Sequence, residues 1–135
     1  MQVVFDMPHV FGRGSPPTAN AHALRSMLNC LIELDNIYLL DHTAPTLYQS
    51  GVVYGRTRVW DTIPAIMRRG YGDCKSLTAW LVAEYRKQGI PAGAVFRWSR
   101  NSSGGLDFHI LVQTEKGYED PSKVLGMGRD ENTPY

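Results

Sequence analysis

The sequence predicts an α+β domain in which a cysteine-bearing helix packs on a small antiparallel sheet. Before Gly89, apolar residues recur mainly at helical spacing; after it, short strand-like runs alternate with turn residues. The hinge between the two patterns is Gly70-Tyr71-Gly72-Asp73-Cys74, a glycine turn that opens a helix on a cysteine. Helices followed by a meander give an α+β order rather than repeating βα units.

Residues 1 to 17 hold the run Val3-Val4-Phe5 and then Gly12, Gly14, Pro16 and Pro17, which read as an extended arm and a loop. Thr18 or Asn20 caps a helix from about Ala21 to Leu40. Its expected buried stripe is Leu24, Met27, Leu28, Leu31, Leu34 and Ile37, with Cys30 packed beside it. Asp41 to Ser50, which contains Pro45, is irregular, and Gly51 to Gly55 is a short strand or extended connector. Asp61 caps a short helix, Thr62 to Arg69, with Pro64 tolerated in its first turn. Asp73 caps the next helix, whose Leu77, Trp80, Leu81 and Tyr85 share a face. Arg86 and Lys87 suit its C-terminal end, and Gly89 stops it. Gly93 to Trp98, Phe108 to Val112 and a run starting at Tyr118 read as strands, separated by turns at Asn101 to Gly105 and Lys116-Gly117. Gly126 to Tyr135 is a polar tail without periodicity.

Composition narrows the class. A chain of 135 residues fits one domain with a single core, and 43% hydrophobic with 20% charged residues is ordinary for a soluble globular protein. A net charge of +1 argues against a general binder of nucleic acid or acidic membranes. No apolar run approaches the roughly 20 residues that span a bilayer. Met1 to Asp6 lacks the basic start and apolar core of a signal peptide. Two cysteines are too few for a disulfide framework, so a reducing, cytoplasmic setting is expected. His9, His22, His42 and His109 show no zinc-like spacing with the cysteines, so neither metal nor cofactor is expected.

The chemistry centres on Cys74. At the first helical position, backbone amides and the positive end of the helix stabilise a thiolate, the form that acts as a nucleophile. A histidine on the second strand and a carboxylate on the third complete the set needed to activate it. In the strand, His109 shares a face with Asp107 and Leu111, while Phe108, Ile110 and Val112 take the other. The hairpin loop then selects the acid. A two- or four-residue loop puts Asp120 on the His109 face, a three-residue loop puts Glu119 there, and Asp107 is a third candidate. The Cys74 amide is one oxyanion donor; Trp60 through its indole N–H and Gln49 through its amide are candidates for the second. Arg56, Arg58, Arg68 and Arg69 form a basic segment, either a solvated face or, near the cleft, a selector of acidic substrates.

Gly72-Asp73-Cys74, the run Leu81 to Ala92 with its Gly89-Ile90-Pro91-Ala92 exit, His109, and Gly117-Tyr118-Glu119-Asp120-Pro121 together resemble the transglutaminase-like branch of the papain-type cysteine enzymes. The resemblance covers about residues 66 to 122. It implies that Cys74 is the nucleophile, His109 the base and Asp120 the residue that orients the imidazole. Relatives often follow Gly-Asp-Cys with acidic residues, whereas Lys75 and Ser76 follow here. The implied activity is that of a peptidase, deamidase or transglutaminase acting on a protein or peptide, with no cofactor, nucleic acid or membrane involved. The other expectation keeps the fold without catalysis, as a binding or assembly module such as a phage virion or connector component. Its assembly partners would order the two polar termini.

Overall fold

Helix α3 (Cys74–Lys87) is the axis of the molecule: every residue from Lys75 to Ala83 is buried. The computed structural model describes residues 1–100, 102 and 106–128. Before α3 come α1 (Pro17–Asp41), a 3-10 turn (Leu47–Gln49), β1 (Val53–Tyr54), α2 (Ile63–Arg69) and β2 (Tyr71–Gly72). After it come β3 (Ala92–Arg100), β4 (Leu106–Thr114), β5 (Gly117–Glu119) and α4 (Pro121–Val124). The fold is α+β. Strands β3, β4 and β5 form an antiparallel sheet in that order, and β1 pairs with β2 in parallel.

A surface helix needs one apolar stripe, but α3 is enclosed all round because α1, the sheet and the short α2 segment each cover a side. Leu28, Ile32, Leu47, Ile63, Ile66, Leu77, Trp80, Leu81, Ile110 and Val112 belong to one continuous core. Truncating the fully buried Trp80 to alanine would cost about 3–5 kcal/mol. At the far end, Ile90 returns its amide to the Tyr85 carbonyl at 2.9 Å, and Gly89 takes φ 82° to allow it.

Several local expectations are corrected. Helix α1 starts at Pro17, with Pro16 at the N-cap and no side-chain cap. Proline needs no amide partner and already has helical φ, so it replaces the expected Thr18 or Asn20 cap. Asn20 instead accepts from the Phe11 amide at 2.7 Å and folds the N-terminal arm back. The buried stripe is Leu24, Leu28, Leu31, Ile32, Asp35 and Leu39; Leu34 and Ile37 are exposed, and so is Cys30. Asp61 does not cap α2. The first amide of that helix, on Ile63, donates to Asp35 on α1 at 2.8 Å, a cap supplied from a distant part of the chain. Asp61 pairs with Arg69 at 2.7 Å, and its own amide donates to Ser76 Oγ at 3.1 Å. Asp73 does hold the N-cap position of α3, but its side chain makes no capping bond and pairs with Lys75 Nζ.

Residues 101 and 103–105 of the expected β3–β4 turn, and 129–135 of the polar tail, lie outside the described residues. Among the described residues, no helix is long and apolar enough to cross a membrane.

Candidate active site

The β4–β5 hairpin decides which carboxylate meets His109. Thr114 pairs with Gly117, Gln113 with Tyr118 and Val112 with Glu119, so the loop is the two residues Glu115 and Lys116. Continuing that register puts Asp120 on the Leu111 face, which His109 shares. His109 Nε2 lies 2.8 Å from Asp120 Oδ2. The other carboxylate oxygen, Oδ1, accepts from the Lys123 amide at 3.3 Å and so caps α4. With both oxygens committed, Asp120 holds the imidazole in one orientation.

Glu119 is on the opposite face and has other work. It accepts from Tyr85 Oη at 2.7 Å and also from Tyr48 Oη. Asp107 stands across from Ser99 in the β3–β4 ladder, and its side chain lies outside what is described.

Cys74 is half-buried at the first turn of α3, free of any disulfide, with its thiol against the backbone amide of Ile110, the residue after His109. Thr78 Oγ1, one turn further along α3, donates to the Ile110 carbonyl at 3.3 Å and fixes the helix on the strand. Burial pushes the Cys74 thiol up to about 11, and the neighbouring Asp73 carboxylate adds to the rise. The Ile110 amide and Lys75 oppose it but do not win. The expected resting thiolate is therefore corrected: desolvation outweighs the helix terminus. No hydrogen bond joins Cys74 to His109 among the described residues. The structure brings His109 to Asp120 and sets Cys74 against the next residue of the same strand.

An open cleft of about 570 Å³ exposes this end of α3, lined by Tyr54, Arg56, Thr57, Arg58, Asp73 and Cys74. Its far wall is the extended segment that follows β1. Gly55 is indispensable there, because a Cβ would come within 2.7 Å of the Tyr71 ring while the Gly55 amide donates to Gly72 at 2.9 Å. Lys75 clamps the wall: its ammonium donates to the Thr57 carbonyl at 3.0 Å, pairs with Asp73 and lies 5.6 Å from the centre of the Trp60 ring. Burial raises the Asp73 carboxyl, and Lys75 is the strongest opposing influence. Lys75 and Ser76, the departure from the related pattern, are thus the residues that fasten the cleft wall and the Asp61 turn to α3.

Neither second oxyanion candidate lines the cleft. Trp60 is half-buried beneath Lys75. Gln49 is exposed on the 3-10 turn, which is anchored at the other end of α3 by Leu47 N–H donating to Glu84 at 2.7 Å. The Cys74 amide, at a helix start, retains a free donor position. The basic segment also divides. Arg69 belongs to Asp61, whereas Arg56 and Arg58 are exposed at the cleft with no acidic partner among the described residues. Tyr54 was not singled out by sequence. It lines the cleft together with Arg56, Thr57 and Arg58, from the segment that ends β1 and runs into a bend at Arg58.

Among the described residues, no group of three histidine, cysteine or acidic side chains is placed to hold a metal ion. No protein-family model, curated protein or solved structure matches this chain.

Proposed function

We propose that the chain is a thiol-dependent amide hydrolase or acyl transferase of papain/transglutaminase-like architecture, working in a reducing compartment on protein or peptide substrates. The observation that carries the reading is the His109–Asp120 pair at 2.8 Å, on the same strand whose Ile110 amide meets the Cys74 thiol. In this reading Cys74 Sγ attacks an amide carbonyl and forms the S–C bond, while its proton passes to His109. The tetrahedral oxyanion is met by the Cys74 amide. Collapse breaks the C–N bond, and His109 returns the proton to the departing amine. Water or a second amine then attacks the thioester, giving up its proton through His109 and releasing the thiol.

The reading requires His109 to close on the sulfur in solution and bring its inflection down from the value that burial sets. A second reading has its own support. A thiol raised to about 11 and not bonded to His109 fits a fold retained for binding or assembly, such as a virion or connector part. Iodoacetamide labelling of Cys74, in a Cys30→Ala background, separates the two. A working pair gives an inflection well below 11 that climbs towards 11 in His109→Ala. An inflection near 11 in both proteins would remove the catalytic reading and leave the binding one.

A further inference from the structure

The cleft at Cys74 has a polarity that the candidate triad does not use. Of its lining residues, Asp73 is matched by Lys75, whose ammonium also reaches the Thr57 carbonyl. That leaves Arg56 and Arg58, both exposed and neither paired with an acid among the described residues. Unpaired arginines at a surface are ordinary; two that line one cleft from a clamped segment, together with a half-buried nucleophile candidate, are placed to read charge. The segment is held. Gly55 is bonded to Gly72, Tyr54 to the Leu125 carbonyl at 2.9 Å and Thr57 to Lys75, and the Arg56 guanidinium stands close enough to the Tyr54 phenol to oppose the rise that burial gives it. A guanidinium fork on such a support meets a carboxylate in a fixed plane, which a mobile lysine would not.

We propose that Arg56 and Arg58 are specificity-determining residues that select an acidic peptide, with a carboxylate side chain next to the carbonyl presented to Cys74. The inference rests on the acyl-transfer reading for its chemistry, but the charge preference itself is a property of the cleft. Arg56 follows the end of β1 beside Tyr54, and Arg58 comes two residues later in the same lining, beyond Thr57. Between them they give the substrate's carboxylate two positions along the cleft.

The test uses a matched pair of affinity labels, N-chloroacetyl glutamate amide and N-chloroacetyl glutamine amide, which alkylate a thiol with the same chemistry and differ by one charge. In the Cys30→Ala protein at low salt, Cys74 should react about five- to tenfold faster with the glutamate label. The Arg56→Gln, Arg58→Gln double variant should lose that preference, its two labels then reacting within about twofold of each other. Added salt should erode the preference in the parent protein, since exposed charges are screened over about a Debye length. Equal rates with both labels in the parent, or an unchanged preference in the double variant, would overturn the proposal. Failure of the acyl-transfer reading looks different: Cys74 labelling would be indifferent to His109→Ala, while the Arg-dependent preference for the glutamate label persisted.

Discussion

The two ends of α3 are built from similar residues and treated in opposite ways. At the C-terminal end, Glu84 accepts from the Leu47 amide, and Glu119 reaches in to accept from Tyr48 and Tyr85. Burial and the Glu119 carboxylate raise the Tyr85 phenol, so its proton stays in the bond. At the N-terminal end, the carboxylate, phenol and thiol of Asp73, Tyr54 and Cys74 line an open cleft beside two arginines without acidic partners. Asp73 Oδ1 is buried with no hydrogen-bond partner. One end is sealed only in that these carboxylates and phenols satisfy one another, beside a smaller cavity of about 350 Å³ lined by Glu84 and Lys87 among others. The other has an unpartnered carboxylate oxygen and two arginines without acidic partners at the larger cleft, and this contrast supports the proposed site without any appeal to resemblance.

Lys75, the charged clamp of the open end, is a first place to break the contrast. Lys75→Met should destabilise the fold by about 3 kcal/mol in urea unfolding, because Asp73 is left without its cation. Adding Asp73→Asn should restore at least about half of the loss, since the stranded charge is gone. A Lys75→Met protein within about 0.5 kcal/mol of the parent would show that the wall is held by something else.

Asp35 sharpens the comparison, as a sealed carboxyl that lacks a second donor. Oδ1 accepts from the Ile63 amide, while Oδ2 is buried with no hydrogen-bond partner. Burial raises its carboxyl from the ordinary 3.8 to about 8. The folded state then holds a proton that the unfolded state releases, so its contribution to stability is present at low pH and is lost as pH rises. Asp35→Asn keeps the acceptor for Ile63 and carries no charge. Its stability relative to the parent should grow by about 1.4 kcal/mol per pH unit above 3.8 and level off near 8. Parallel pH–stability curves for the two proteins would contradict a neutral buried Asp35.

How much of this was legible depended on whether the deciding interaction is local. Helix α3 could be read because its turn, its apolar residues and its glycine stop lie within one segment. The meander could be read for the same reason, although spacing left Asp120, Glu119 and Asp107 all open as the acid, the first two separated only by loop length. The start of α1 was misread because Thr18 and Asn20 are good caps in isolation, while Pro16-Pro17 wins through backbone geometry. Long-range contacts were invisible: Asp35 caps a helix 28 residues away, and Lys75 reaches the Thr57 carbonyl 18 residues back. The Cys74 thiol shows the limit most clearly. A helix terminus predicts a low value, but the answer depends on how much α3 is enclosed by the rest of the fold.

The finest test of the contrast lies in adjacent residues, Glu119 on the sealed side and Asp120 on the open one. Glu119→Ala removes the acceptor from two tyrosines and should cost about 1–2 kcal/mol of stability, with Cys74 labelling unchanged within about twofold. Asp120→Asn should do the reverse. Asparagine keeps the oxygen that caps α4 through the Lys123 amide, so stability should move by no more than about 0.5 kcal/mol. Its neutral side chain no longer fixes the His109 imidazole as an anion does, so Cys74 labelling near neutral pH should slow about tenfold. If the two variants exchanged their effects, the hairpin in solution would have the three-residue register, which puts Glu119 on the His109 face. The site would then be built on the other carboxylate, and the sealed end of α3 would have lost the group that seals it.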